Sequence, residues 1–307
     1  MRIGKALFVL AAAAVLVAPA AAMGTQEPSA GKPIIAVSVL PQQYFVDRIA
    51  QGRAQALVLV GPGQSPHSYE PTPQQMAGLG TAAAWLTIGV EFEKGILPKV
   101  KNLYPRLQIV DTTEGVRFRT LEAHGHEEGE EEHEGEGHTD EADLEGGRDP
   151  HIWLGREPAK IQARFVRDVL SRVDPEGASQ YSRNYETLVR EIDAAFASLA
   201  KDLAPLKGKP VFVYHPSFGY FLDEFGIEQV AVELGGKEPT QKVLAELIAE
   251  ARNHDARVIF VQPQFSKSAA KVIAASIGGS VVEINPLEAD WLPNLKRIGD
   301  ALKAVAR

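Results

Sequence analysis

Three histidines of this 307-residue chain sit beside proline at the edge of an apolar run. His67 lies in GQSPHSYEPTP, just past the run AQALVLV and the turn GPGQS. His215 directly follows VFVY and precedes Pro216, and His151 follows Pro150 and opens HIWLG. Imidazoles gathered from separate turns suit a divalent zinc-type ion, which takes nitrogen at about 2.0–2.1 Å. Spacing alone leaves the choice open, because any one of them also fits a turn or core histidine satisfied by a hydrogen bond. His254, in ARNHDAR, reads as a surface or capping residue at a helix end.

The other four histidines, His124, His126, His133 and His138, belong to EAHGHEEGEEEHEGEGHTDEADLEGG. Twelve carboxylates and no Lys or Arg lie between Glu122 and Glu145, so removing them from the 40 acidic residues leaves 28 against 32 basic. The net charge of −8 therefore belongs to this run, and the rest of the chain is near balance. A segment so poor in apolar side chains cannot offset its ordering entropy, so residues 122–148 are expected to be a disordered loop. Such a loop is no preorganised site, although its histidines and carboxylates can bind divalent metal loosely. An accessory role in collecting metal is expected, with an inert solubilising loop as the alternative. No basic block or basic-aromatic interleaving points to nucleic acid.

The elements that must hold the three isolated histidines alternate between strand and helix. IIAVSVL, AQALVLV, AAWLTIG and LQIVD read as buried strands, separated by helical patterns near PQQYFVDRIAQ, from Pro73, and near EKGILPKVKNL. From Pro175 to Leu203 the period changes: Tyr181, Tyr185, Leu188, Ile192, Phe196, Leu199 and Leu203 form one stripe. That stripe predicts a single amphipathic helix of about 28 residues, about 42 Å long. Alternation then resumes with PVFVYH, a helix around PSFGYFLDEFG, EQVAVE, TQKVLAELIAEARNH, ARVIFVQ, a helix from Lys267, SVVEI and a last helix from Asp290 to Ala306. The fold class is α/β, with one α/β half, a long helix and a second α/β half. In open parallel sheets ligands bind beyond the carboxyl ends of strands, where His67 and His215 fall, one in each half.

The first residues place Arg2 and Lys5 before an apolar run from Ala6 to Val17, then small residues at Ala20 and Ala22. This is the pattern of a secretory signal over residues 1–22, cleaved after Ala22, because the run is shorter than the roughly 20 residues of a membrane span. The chain has no cysteine, hence neither a lipid-bearing Cys at the cleavage site nor a disulfide. An exported, monomeric, redox-indifferent protein is expected.

SPHSYEPTP, DPHIWL, VYHPSFGYFLDEFGI and VQPQFS, in this order after a signal pattern and with the acidic run before the second, closely resemble the periplasmic zinc-binding proteins of ABC uptake systems, the cluster A-I metal-binding group. The resemblance covers essentially the whole chain after the signal. It implies two lobes, each with a mainly parallel sheet, here 32–155 and 208–307, joined by one long rigid helix within 173–204. It also implies a metal site in the interlobe cleft and delivery of Zn2+ to an inner-membrane ABC permease, with other periplasmic zinc chaperones as further partners. By motif position it makes His67, His151 and His215 the metal ligands. Manganese-binding relatives usually carry a carboxylate at the third position, so His215 favours zinc over a manganese or broad divalent carrier.

One departure stands out: where the family commonly has an Asp-Pro-Leu turn supplying a fourth ligand, this chain reads EINPLEADW, with Asn285 in that place. The fourth position is then water held by Asn285, Asn285 itself, or Glu283, Glu288 or Asp290. A three-His zinc with an open position would also serve a hydrolase, with Glu70 as a conceivable base, but no HExxH is present and a non-enzymatic carrier is the expectation. An adhesin-like relative is the remaining alternative. Tyr44, Trp153, Phe218 and Tyr220 are candidate cleft walls, and Gln262 and Gln264 are candidate hydrogen-bond partners of a ligand imidazole.

Overall fold

Strands form first where β-branched and aliphatic residues run together. Ile34–Val39 (β1), Gln55–Val60 (β2), Ala84–Thr87 (β3) and Gln108–Asp111 (β4) pair in parallel in the order β2-β1-β3-β4. Pro210–Val213 (β5), Glu228–Ala231 (β6), Val258–Val261 (β7) and Ser280–Glu283 (β8) repeat that order, β6-β5-β7-β8, again all parallel. Each sheet is the centre of one lobe. The computed structural model describes residues 31–121, 147–233 and 239–304. The signal pattern at 1–22 and the acidic run with His124, His126, His133 and His138 lie outside the described residues, as do residues 305–307.

Helices cross between the strands: Leu40–Ala50 (α1), Pro73–Thr81 (α2) and Glu91–Leu103 (α3) in the first lobe. Pro73 begins α2 because Thr72 caps it, its hydroxyl accepting the Gln75 N–H at 3.2 Å. Two helices follow, Arg156–Val173 (α4) and Ala178–Leu203 (α5). The sequence stripe begins at Pro175, but Pro175–Gly177 is a 3-10 turn and the 26-residue α5 starts after it, a length of about 39 Å. α4 packs along α5.

The second lobe holds Gly219–Asp223 (α6), Gln241–Asn253 (α7), Ser268–Ser276 (α8) and Trp291–Ala304 (α9). The helix expected around PSFGYFLDEFG shrinks to α6 for a local reason: Ser217 N–H closes a turn on the His215 carbonyl at 2.8 Å, and Gly226, at φ 64°, stops the chain on the other side. Among the described residues no helix is long and apolar enough to cross a membrane.

The described residues from Lys32 onward form one compact unit. A single apolar cluster runs from Ile35 and Trp85 through Leu188, Ile192 and Phe196 of α5 to Phe221, Trp291 and Leu295. The rest of the second lobe has its own cluster around Val230, Leu247, Ile259 and Ile273. Phe196 lies where the first cluster passes between lobes, its ring 6.1 Å from Phe221 and stacked at 5.9 Å on Phe225. Truncating it opens a cavity that rigid neighbours cannot fill. Phe196→Ala is expected to cost about 3–5 kcal/mol in urea unfolding, with the transition staying a single step because the core is shared.

Candidate metal centre

Each isolated histidine leaves a different element. His67 follows β2 by a Gly- and Pro-rich turn in which Gly61 N–H donates to Gln64 Oε1 at 2.8 Å. His151 stands at the head of the 3-10 turn Ile152–Leu154. His215 comes two residues after β5, its N–H donating to Gln262 Oε1 at 3.2 Å while Gln262 Nε2 donates to the His215 carbonyl at 2.6 Å. The structure brings all three together. His215 Nε2 lies 2.9 Å from His67 Nε2 and 3.1 Å from His151 Nε2. Among the described residues this is the group of histidines and carboxylates whose donor atoms could share one ion, all within 4.8 Å.

A carboxylate stands behind every ring. His151 Nδ1 is 2.7 Å from Asp149 Oδ1, His215 Nδ1 makes a short contact with Glu233, and His67 Nδ1 is 3.0 Å from Glu91 Oε2. A carboxylate accepting at Nδ1, as Asp149 and Glu233 do, places the ring proton there and leaves Nε2 as a bare lone pair. The His151–His215 Nε2 contact is therefore not a hydrogen bond between neutral rings: two acceptors face each other, and Glu91 beside His67 favours the same tautomer there. Tetrahedral zinc with nitrogen at 2.0–2.1 Å needs nitrogens about 3.3 Å apart, and the two distances from His215 Nε2 lie within a few tenths of an ångström of that.

Burial sets the charges. It pushes His215 down to about 4, with the nearby His151 and His67 adding to the effect and Glu233 opposing it. For Asp149 burial acts upward, but His151 and the Arg119 guanidinium outweigh it and hold the carboxyl below its ordinary range. Burial acts upward on Glu91 too, and the adjoining His67 brings it down to about 2. Arg119 reaches Asp149 Oδ2 at 3.1 Å and Asp223 of α6 at 2.5 Å, while Tyr220 Oη donates to the Asp149 carbonyl at 3.1 Å. Both ties join the His151 turn to the second lobe.

The cavity before the rings is about 10 Å³, room for roughly one water-sized sphere. Its other walls are Ser65, Pro66, Trp153, Ser217, Gln264, Phe265, Pro286 and Leu287. Of the four aromatics expected as walls, only Trp153 lines it. Tyr44 packs on Trp291, while Phe218 and Tyr220 are buried in the core. Phe265 takes the expected role instead, stacked on the His215 ring at 4.6 Å. Gln262 binds the His215 backbone rather than an imidazole, and Gln264 binds Asn285. Asn285 does not line the cavity: its Oδ1 accepts from Gln264 and from Leu287 N–H, and its Nδ2 donates to Glu288. Glu283 pairs with Lys267 and Asp290 with Arg297, so none of the suggested carboxylates faces the histidines.

The partners that sequence reasoning missed are Glu91, Asp149 and Glu233. Asp149 had a legible signal, two residues before His151, where its side chain also accepts the His151 N–H at 2.9 Å as an Asx turn does. Glu91 and Glu233 come from a helix start and a strand end, and one chain with 40 acidic residues offers no means to pick them out.

Known proteins resemble this chain over most of its length. A family model described as zinc-uptake complex component A, periplasmic (ZnuA), matches residues 35–305. The zinc-binding lipoprotein AdcA of Streptococcus pneumoniae is 26% identical over 278 residues, 87% of this chain, which spans about half (52%) of that relative's length. The high-affinity zinc uptake system protein ZnuA of Bacillus subtilis is 25% identical over 291 residues, 92% of this chain and 88% of its own. A crystal structure of a ZnuA lacking residues 138–173 of its own numbering, with zinc bound, superposes with a TM-score of 0.78 at 32% identity, covering 89% of this chain and 97% of that one.

The depressed His215 makes a stability prediction. Its folded value near 4 lies below the ordinary 6.5, so the unfolded chain binds the extra proton between those values and stability is lost as pH falls through that window. Glu93, raised to about 7 by burial despite donors from Ser38, Ile88 and Gly89, acts in the opposite sense over the same range. The difference between wild type and His215→Gln isolates the histidine. In urea unfolding of the metal-free protein, wild type is expected to lose about 2 kcal/mol more than the variant between pH 7 and pH 5.

Proposed function

We propose that this chain, which belongs to the periplasmic zinc-uptake complex component A family, captures Zn2+ outside the cytoplasmic membrane and hands it to an inner-membrane ABC permease. The observation that carries this reading is the convergence of three Nε2 lone pairs, each ring backed by a carboxylate. His67, His151 and His215 are the ligands. Water completes the coordination. Zinc is favoured over manganese because the cavity presents imidazole nitrogen and no carboxylate oxygen. The family is one of uptake components, not of enzymes, and the cavity walls hold no carboxylate to act as a base toward a bound water.

Capture needs Asp149, Glu233 and Glu91 as orienting groups, since they fix the tautomer and hold each ring in the plane the ion requires. Release follows from the ligands being neutral. Protonation competes directly with zinc, so affinity falls as pH is lowered. The acidic run is assigned an accessory role in collecting divalent metal, and export through the signal pattern completes the reading.

Zinc and manganese titrations of the full chain, of His67→Ala, of His215→Ala and of a form lacking residues 122–145 test the proposal. One tight zinc is expected in wild type, weakened at least about 100-fold by either histidine change and retained in the shortened form, which loses only weaker ions. A tight zinc that leaves with residues 122–145 instead would move the site to the acidic run.

A further inference from the structure

We infer that Gln264 is the positioning residue for the fourth ligand of the bound ion: its side-chain oxygen accepts a hydrogen bond from the metal-bound water. The inference rests on the reading of His67, His151 and His215 as zinc ligands. It starts from a polar atom with no partner. Gln264 Oε1 is buried and accepts nothing from the protein, and Gln264 lines the same small cavity as the three rings.

Which end of the amide faces the cavity follows from unambiguous donors. The Leu287 N–H donates to Asn285 Oδ1 at 3.0 Å, which makes that atom an acceptor, and the Glu288 carboxylate takes Asn285 Nδ2 at 2.7 Å. Gln264 must then turn its nitrogen to Asn285 Oδ1, 2.9 Å away, and its oxygen elsewhere. A water on a dication is a strong donor, and a lone amide oxygen beside a cavity of about one water's size is the acceptor it needs. The chain Glu288, Asn285, Gln264 also explains why an amide suits position 285. An aspartate there would set a second carboxylate against Glu288. The consequence for chemistry is direct: an amide oxygen holds a water without taking its proton, which suits a carrier.

The test uses the full chain as wild type, Gln264→Met, Gln264→Glu and Asn285→Leu, with His67→Ala as control. Zinc affinity is read by chelator competition, and azide is titrated into the Co2+-loaded protein by visible absorption. Azide displaces the water but offers no proton to Gln264, so the wild-type oxygen disfavours it. Gln264→Met is expected to weaken zinc about three- to tenfold and to tighten azide about tenfold. Gln264→Glu, which keeps an acceptor and adds charge, is expected to hold zinc at least as well as wild type and to weaken azide further. Asn285→Leu, which frees the amide to turn, should move both readings in the direction of Gln264→Met.

Unchanged zinc and azide affinities in Gln264→Met and Gln264→Glu overturn the inference. So does a zinc-loaded crystal structure in which Gln264 Oε1 bonds the metal directly or stands away from the bound water. Should His67→Ala keep the tight zinc, the ligand assignment itself fails. If that control loses zinc while the Gln264 variants behave as wild type, only the present inference falls.

Discussion

Three lone pairs held face to face are the constraint on which the rest of this molecule turns. Nitrogen atoms 2.9 and 3.1 Å apart repel where no proton lies between them, and Asp149 and Glu233 hold the His151 and His215 protons on the far sides of their rings. A surface loop would let the rings swing apart. Here His151 and His215 are buried, with side chains 3% and 9% exposed, and Phe265 stacks on the latter. The scaffold thus stores an unfavourable arrangement that a cation at the centre converts into a favourable one.

Keeping that arrangement requires two lobes to behave as one body. Both sheets use the same strand order, and β2, at the edge of the first, and β5, inside the second, deliver His67 and His215 beyond their ends. The core does not stop at the lobe boundary but continues along α5 to Trp291. Beside the site, Trp153 Nε1 donates to the Pro286 carbonyl at 2.9 Å and Trp291 Nε1 to the Trp153 carbonyl at 2.7 Å, two indole bonds across the junction. A wide hinge would have to break these, the Arg119 bonds and part of the shared core together. His67, the most exposed of the three rings at 27%, sits on a loop outside those ties, which makes local motion of its turn less costly than a hinge.

Much of the architecture was legible in the sequence because parallel strands buried on both faces are written as short aliphatic runs, and IIAVSV and VIFV need little context. The long stripe from Tyr181 to Leu203 was legible for the same reason, six of its residues being buried on one face. What escaped was set by tertiary contact. α4 is the exception, since Ala159, Ala163, Val166, Val169 and Leu170 recur at helical spacing and were open to reading, whereas α6 is cut to five residues by a turn at Ser217 that the local sequence does not announce. At the site, the histidines carried a signal through their places at strand ends. Of their carboxylates only Asp149, two residues before His151, did; the other two are chosen by the fold, Glu233 standing 18 residues from His215 and Glu91 24 after His67.

The division of labour between imidazoles and carboxylates decides what such a site can do. Three carboxylates one ring removed supply about three negative charges against the two of a zinc ion, and Arg119 at Asp149 trims the excess. Direct carboxylate ligation would place the same charge closer and hold the ion more firmly, but it would also lower the proton's power to compete and slow release. With the charge held behind neutral rings, long-range attraction draws the cation in, while the bonds to it stay those of imidazole, which protonation or a competing ligand can undo. A carrier that must both capture and surrender its ion is better served by that arrangement than by the strongest possible ligand set.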